Sequence, residues 1–344
     1  MQDGFVKVAA VTPEVRVADV AFNVESCVAA ARRACTEDGA VLVVLPELCL
    51  TAYTCEDLLW QDNLLAAAEQ GLADFAQATA DLNALLLVGL PVRVNAKLYN
   101  CAAAVASGTV LGIVPKRYLP TYNEFYEGRH FVSGTTDVVP IDTAGALDVP
   151  FGTSQLFTCE EVPELSVAVE LCEDLWVPEP PSIAHAKAGA TVIANLSASN
   201  AVVGKADYRR SLVSGQSARL ICGYIYASAG AGESTQDVVF SGHDLIAENG
   251  RVLAEAKPFG DGRAVTELDV RLLAAERRRM STFDVVASPV QRAYHVSRFS
   301  LAEQETRLTR YVDPQPFVPS DAARRAERCE DCLLYTSPSP RDCS

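Results

Sequence analysis

Residues Val41–Leu45, VLVVL, carry no polar side chain and end against Pro46. Five apolar residues are too few for a helix, so the run reads as a strand buried on both faces. Such a strand lies inside a covered sheet and commits the flanking chain to covering layers. The flanks fit. Val6–Val11 alternates and stops at Thr12-Pro13, as a strand does. Val17–Cys35 sets Val17, Val20, Val24, Val28, Ala31 and Cys35 on one helical face before Gly39 breaks it. Leu64–Ala80 predicts a second helix, and Leu85–Leu90, Asn100–Ala106 and Val110–Val114 three more strands.

The second half follows the same order without repeating the sequence. Leu165–Leu171 predicts a strand, and Ser182–Ala188 a helix after the Pro178–Pro181 brake. Thr191–Leu196 is a strand and Lys205–Cys222 a helix, followed by strands at Tyr224–Ala229, Val238–Phe240, His243–Ala247 and Val252–Ala256. Asn249-Gly250 marks a hairpin between the last two. Alternating elements of this kind predict an α/β fold, here two sheets face to face with helices outside. The pattern loosens after about residue 258. We place a first domain at 1–270 and an extension with a linker at 271–332, containing the charged helix Leu272–Met280 and the Pro-rich Pro314–Pro319. The last segment, 333–344, LLYTSPSPRDCS, fits nothing before it and resembles a translated sequencing adapter. It is expected to be unstructured from about Leu333.

Composition excludes several function classes. With 49% hydrophobic and 21% charged residues the chain can bury a core. The 29 basic residues are outnumbered by 44 acidic ones, a net charge of −15, which disfavours nucleic acid and anionic membranes as partners. No apolar run approaches the ~20 residues of a membrane helix. The N-terminal MQDGFVKVAAVTPE has neither part of a secretion signal. Eleven cysteines without framework spacing are expected as reduced thiols in a cytoplasm. Cys329 and Cys332 form one Cys-x-x-Cys with no second pair, and His130, His185, His243 and His295 are scattered, so no metal site is expected.

Three residues could carry chemistry. Glu47 follows the strand Val41–Leu45, Lys116 follows Val110–Val114 after Pro115, and Cys172 follows Leu165–Leu171. Carboxyl ends of strands are where sites collect in α/β sheets. A carboxylate held partly desolvated can pass protons near neutrality, a lysine can stabilise an oxyanion, and a thiol can attack a carbonyl carbon. Taken singly, each has a plain alternative: a turn glutamate, a solvated lysine, a packed cysteine. Together they supply the parts for attack on a C–N bond at a carbonyl.

In this order, Glu47, Lys116 and Cys172 resemble the Glu-Lys-Cys triad of the nitrilase or carbon–nitrogen hydrolase superfamily. The segments PELCLTAYTCEDLL, PKRYLPTYNEFYEGRHF, ELCEDLWVPEPPS, NLSASN and GESTQDVVFSGHDLIAENG narrow this. Over about residues 5–330 the chain is similar to the glutaminase domains of the glutamine-dependent NAD synthetase family. The resemblance implies an αββα four-layer sandwich. It implies Cys172 as nucleophile, Glu47 as general acid/base, and Lys116, helped by the Glu173 N–H, as oxyanion donor. Tyr122, Ser199, Lys205 and Glu173 fall at positions that hold glutamine. Where the family has arginine, this chain has Lys205, which keeps the charge but loses the two-pronged grip on a carboxylate. Family members carry a second, ATP-using synthetase domain with an S-G-G-x-D-S loop. Here the Ser-Gly pairs at 107, 133, 214 and 241 lack the second Gly. ATP and Mg²⁺ would therefore belong to a missing domain, and no cofactor is expected in this chain. The expected substrate is glutamine, and homo-oligomerisation is expected. Three rivals stand beside this reading: a papain-like Cys-His hydrolase using His185 or His243, another amidase, and a catalytically silent scaffold.

Overall fold

A computed structural model describes residues 3–283, 293–312, 318 and 321–336, with side chains described as far as residue 330. The first half runs β1 (Phe5–Val11), α1 (Val20–Thr36), β2 (Leu42–Val44), α2 (Asp62–Ala78), then β3 (Leu85–Val94), β4 (Lys97–Ala106) and β5 (Thr109–Pro115). The short helix α3 (Glu127–His130) leads to β6 (Val139–Thr143) and β7 (Ala146–Phe151). The second half holds β8 (Gln155–Cys159), β9 (Ser166–Leu171), α4 (Pro181–Ala188), β10 (Val192–Ser197), α5 (Lys205–Leu220), β11 (Gly223–Ser228), β12 (Leu245–Glu248) and β13 (Arg251–Glu255). β14 (Arg263–Asp269), α6 (Val270–Arg279) and β15 (His295–Phe299) follow.

One eight-stranded sheet has the order β14-β1-β2-β3-β4-β5-β7-β6, and a seven-stranded sheet the order β13-β12-β11-β10-β9-β8-β15. β1, β2 and β3 are parallel, as are β9, β10 and β11, because α1, α2, α4 and α5 return the chain to the same end. The alternation of each strand sorts its side chains between two cores. Val6, Val8 and Ala10 of β1 meet Val167 and Val169 of β9 between the sheets, with Leu42, Leu85, Ala194 and Ile225. Ala9, Val43, Leu86 and Ala103 point the other way and pack with Val24, Cys27 and Phe75 of α1 and α2. Ala168, Ile193 and Tyr224 likewise pack with Ala186 of α4 and Val213 of α5. The result is the αββα sandwich.

Several boundaries differ from expectation. α1 begins at Val20, not Val17, because the Asp19 side chain accepts the Phe22 N–H and caps it there. Val238–Phe240 is not a strand. Phe240 forms an isolated bridge with Asn200, beside the Val239 carbonyl that accepts the Ala201 N–H at 2.7 Å. β6, β7, β8, β14 and β15 lie outside the strands expected from sequence. The compact unit extends to Arg307, past the expected boundary at 270, and includes α6 and β15; β15 pairs in parallel with β8. A second unit begins at Leu308 and contains the helix Ala322–Thr336. That helix corrects the expectation of irregular chain from Leu333. AARRAERCEDCLLYT has no breaker, and the first proline after it is Pro338. Residues 337–344, and Pro314–Pro319 apart from Val318, lie outside the described residues. Among the described residues no helix is long and apolar enough to cross a membrane.

Candidate active site

Each member of the predicted triad leaves the C-terminal end of a strand. Glu47 follows β2, Lys116 follows β5, and Cys172 is the first residue after β9. Cys172 opens a short 3-10 turn, Cys172–Leu175, with φ of +37°. A non-glycine residue in that region is strained, and the strain turns the thiol out of the strand direction. Asp174 holds the turn, accepting the Leu171 N–H at 3.0 Å and the Tyr118 N–H at 2.9 Å.

Glu47 is fully buried and bonded from both sheets. Its Oε1 accepts Lys116 Nζ at 2.6 Å and Asn100 Nδ2 at 2.7 Å, and its Oε2 accepts the Ala198 N–H at 2.7 Å. Gly89 of β3 makes room for this loop. A Cβ there would lie 2.3 Å from the Leu48 nitrogen and 2.4 Å from the Pro46 oxygen. Lys116 is also fully buried, and its ammonium makes a second 2.6 Å contact with Oε1 of Glu127. Glu127 also accepts the Tyr53 hydroxyl at 2.9 Å. Burial pushes the Glu127 carboxyl up to about 7, against the pull of Lys116 and with the push of Glu47. The two carboxylates in turn hold the Lys116 ammonium well above its ordinary range despite burial.

The Cys172 thiol is buried within charge range of Glu47, Lys116 and Glu127. Burial comes first and the Glu47 charge second in pushing it up to about 12, and Lys116 opposes them without prevailing. The resting site therefore holds a thiol. The Lys116 charge is already met by the two carboxylates Glu47 and Glu127.

The four expected glutamine-binding residues fall into two groups. The Tyr122 hydroxyl donates to both Glu173 oxygens, at 2.8 and 3.0 Å. Ser199, just beyond β10, is buried with its Oγ accepting Arg209 Nη2 at 2.8 Å. Lys205 opens α5, with its Nζ bonded to Asn200 Oδ1 and lying 5.1 Å from the Trp176 ring and 5.6 Å from the Phe125 ring. Arg209 Nη2 also reaches the Asn200 carbonyl at 3.2 Å, which links Ser199 to Asn200. Both histidines of the Cys-His rival have other partners. His185 Nδ1 meets the Tyr294 hydroxyl at 2.7 Å, and His243 lies between Arg209 and Glu255. Sequence reasoning missed Glu127, Asn100, Tyr53 and Arg209. Asn100 did carry a signal: it is the one amide at the mouth of an otherwise apolar strand.

Residues 7–278 match the Carbon-nitrogen hydrolase family. Glutamine-dependent NAD(+) synthetase of Mycobacterium tuberculosis (strain ATCC 25618 / H37Rv) is 45% identical over 335 residues, 95% of this chain and 49% of that protein. That of Aquifex aeolicus is 30% identical over 70% of this chain and 38% of its own length. The chain thus spans about half the length of the M. tuberculosis relative. Among solved structures, a glutamine-dependent NAD(+) synthetase from Cytophaga hutchinsonii superposes with a TM-score of 0.68 at 27% identity, over 77% of this chain and 43% of that one. A nitrilase-superfamily protein of Saccharomyces cerevisiae shares the fold with a TM-score of 0.61 at 19% identity, over 81% of this chain and 95% of that one. The sandwich, its two sheets and the match over residues 7–278 agree: this chain belongs to the carbon–nitrogen hydrolase family.

Proposed function

We propose that this chain is a glutaminase, hydrolysing L-glutamine to glutamate and ammonia through a thioester on Cys172. The observation that carries the reading is the buried Glu47–Lys116 contact within charge range of the Cys172 thiol. With the thiol protonated at rest, its proton passes to Glu47 as sulfur attacks the amide carbon. The oxyanion is received by Lys116 and the Glu173 N–H, a kind of donor worth about 10²–10³ in rate. Glu47 returns the proton to the leaving nitrogen and ammonia departs. Water then gives a proton to Glu47 and its oxygen to the thioester carbon. The C–S bond breaks, and the sulfur recovers its proton. These steps balance with glutamine and water alone, so this half-reaction takes no metal or nucleotide.

The similarity to glutamine-dependent NAD(+) synthetases supports the destination: ammonia for amidation of deamido-NAD, on a synthetase domain that uses ATP and Mg²⁺. We place the reaction in a cytoplasm and in a self-associating assembly, with neither nucleic acid nor membrane as partner. The test supplies the 344-residue chain with glutamine, asparagine or short aliphatic amides and follows ammonia. Glutamine is the expected substrate, and Cys172→Ala abolishes turnover. A glutamine-analogue electrophile should add its mass to Cys172. Preference for aliphatic amides would make the chain a general amidase. Neither turnover nor labelling would leave a silent scaffold.

A further inference from the structure

Lys116 reaches the triad, but the residue after it does not. Arg117 lines an open cavity of about 240 Å³ with Thr136, Thr153, Ser154, His185 and Tyr294, and no triad residue takes part in it. Pro181 and Ala184, in the first turn of α4, also line it, so the positive end of that helix adds to the field there. In a chain with 44 acidic residues, none of the residues lining this cavity is acidic.

The charge in this cavity has no counterpart. Arg117 is half-buried and lies 5.7 Å from the Tyr118 ring centroid, and among the described residues its guanidinium has no carboxylate or hydrogen-bond partner. A partly desolvated charge is normally paired. Thr153 is 5% exposed, and its hydroxyl likewise has no partner among the described residues. His185 adds no charge: burial pushes its imidazole down to about 4, and the Arg117 charge adds to that push. Its Nδ1 meets the Tyr294 hydroxyl at 2.7 Å. The carboxyl within charge range of Tyr294 is that of Glu170, which already accepts the Tyr224 hydroxyl and the Ser182 N–H and is pushed up by burial. One positive charge and several hydroxyls therefore share a cavity to which the protein brings no anion.

We propose that this cavity is a binding site for a phosphate group, with Arg117 supplying the charge and Thr153 and Ser154 the hydroxyl donors. A guanidinium fork bonds two oxygens of a tetrahedral anion, which leaves the others for hydroxyls. A planar carboxylate is used up by the fork alone and gains less from Thr153. At roughly 30 Å³ per water, the cavity volume of about 240 Å³ matches about eight waters, which leaves room for a small organic group beside the phosphate. The fitting class is therefore a small phosphate monoester, with inorganic phosphate as its minimal form. The site is separate from the triad, so it stands whether or not glutamine is the substrate there.

The experiment titrates the intact chain with inorganic phosphate, glycerol 3-phosphate and acetate by calorimetry at constant ionic strength. Wild type, Arg117→Gln, Arg117→Lys and Thr153→Val are compared, with circular dichroism melts to show that each is folded. Both phosphates should bind saturably, the ester more tightly, and acetate about 10-fold more weakly than either. Arg117→Gln should weaken phosphate binding about 10–100-fold, and Thr153→Val about 3–10-fold with no effect on acetate. Arg117→Lys should keep part of the affinity, since it keeps the charge without the fork. Phosphate should also move the His185 imidazole resonances in wild type but not in Arg117→Gln. Saturable binding of either phosphate that depends on Arg117 supports the site, and the tighter of the two identifies its source. Equal phosphate affinity in wild type and the Arg117 variants would place the anion elsewhere and overturn the proposal. Equal affinity for acetate and phosphate, or no saturable phosphate binding at all, would overturn it too.

Discussion

Lys116 Nζ lies 2.6 Å from Oε1 of Glu127, a carboxylate delivered by the four-residue helix α3 rather than by a strand. That contact holds the ammonium alongside its 2.6 Å contact with Glu47. Glu127→Gln should leave glutamine bound, with KM nearly unchanged, and lower kcat about 10–100-fold. This is the scale of loss when a positioned group shifts by a fraction of an ångström to an ångström. Steady-state kinetics on glutamine check it. A kcat within twofold of wild type would make Glu127 a packing residue.

Gly89 predicts a defect that involves no polar side chain at the substituted position. Gly89→Ala places a methyl against the Pro46–Leu48 backbone, so the Glu47 loop must move. The variant should fold with a stability loss of about 1–3 kcal/mol and lose on the order of 10²-fold in kcat. Circular dichroism melts and turnover, measured together, separate the two effects.

Stability should fall as pH rises through neutrality. Burial pushes the Asp174 and Asp244 carboxyls up to about 7, against an unfolded value of about 3.9. The folded state then binds more protons than the unfolded state between these values. Their contribution is full below about pH 4 and is lost as pH rises through 7. Asp244 accepts the Ser228 N–H at 2.8 Å and the Thr12 hydroxyl at 2.9 Å. Urea midpoints at pH 5 and pH 8 should therefore differ in favour of pH 5. Asp244→Asn should flatten the difference, and a midpoint that rises with pH over this range would contradict the account.

The extent of the sequence's information differs from residue to residue. Pro46 and Pro115 mark where β2 and β5 end, so Glu47 and Lys116 could be placed at strand ends without coordinates. Cys172 follows from the apolar run before it. Glu127 could not be found in this way, because α3 is a single turn in a loop and has no periodicity to read. β15, His-Val-Ser-Arg-Phe, is mostly exposed at the edge of its sheet and lacks the apolar signature of the inner strands. The direction of the Cys172 shift was also hidden. It depends on a balance between burial and three nearby charges that only the assembled site defines.

Lys7 of β1 and Glu267 of β14 are directly paired in register and form a buried ion pair. Lys7→Met should cost about 3–5 kcal/mol, since it takes the ammonium out of a buried ion pair. Adding Glu267→Leu should recover most of that loss. Chemical denaturation of the two variants checks the recovery, and additive losses would show that the pair is not energetically linked.

The same pairing sets a schedule for synthesis. β1 emerges from the ribosome well before β14, which covers its outer edge and comes near the end of the compact unit. At about 5–20 residues per second, that edge waits roughly 10–50 s for its partner. During the wait Lys7 carries its charge on the open edge, a feature that discourages other strands from adding there. When Glu267 arrives, the charge that kept foreign strands away becomes the one that selects the native strand and its register.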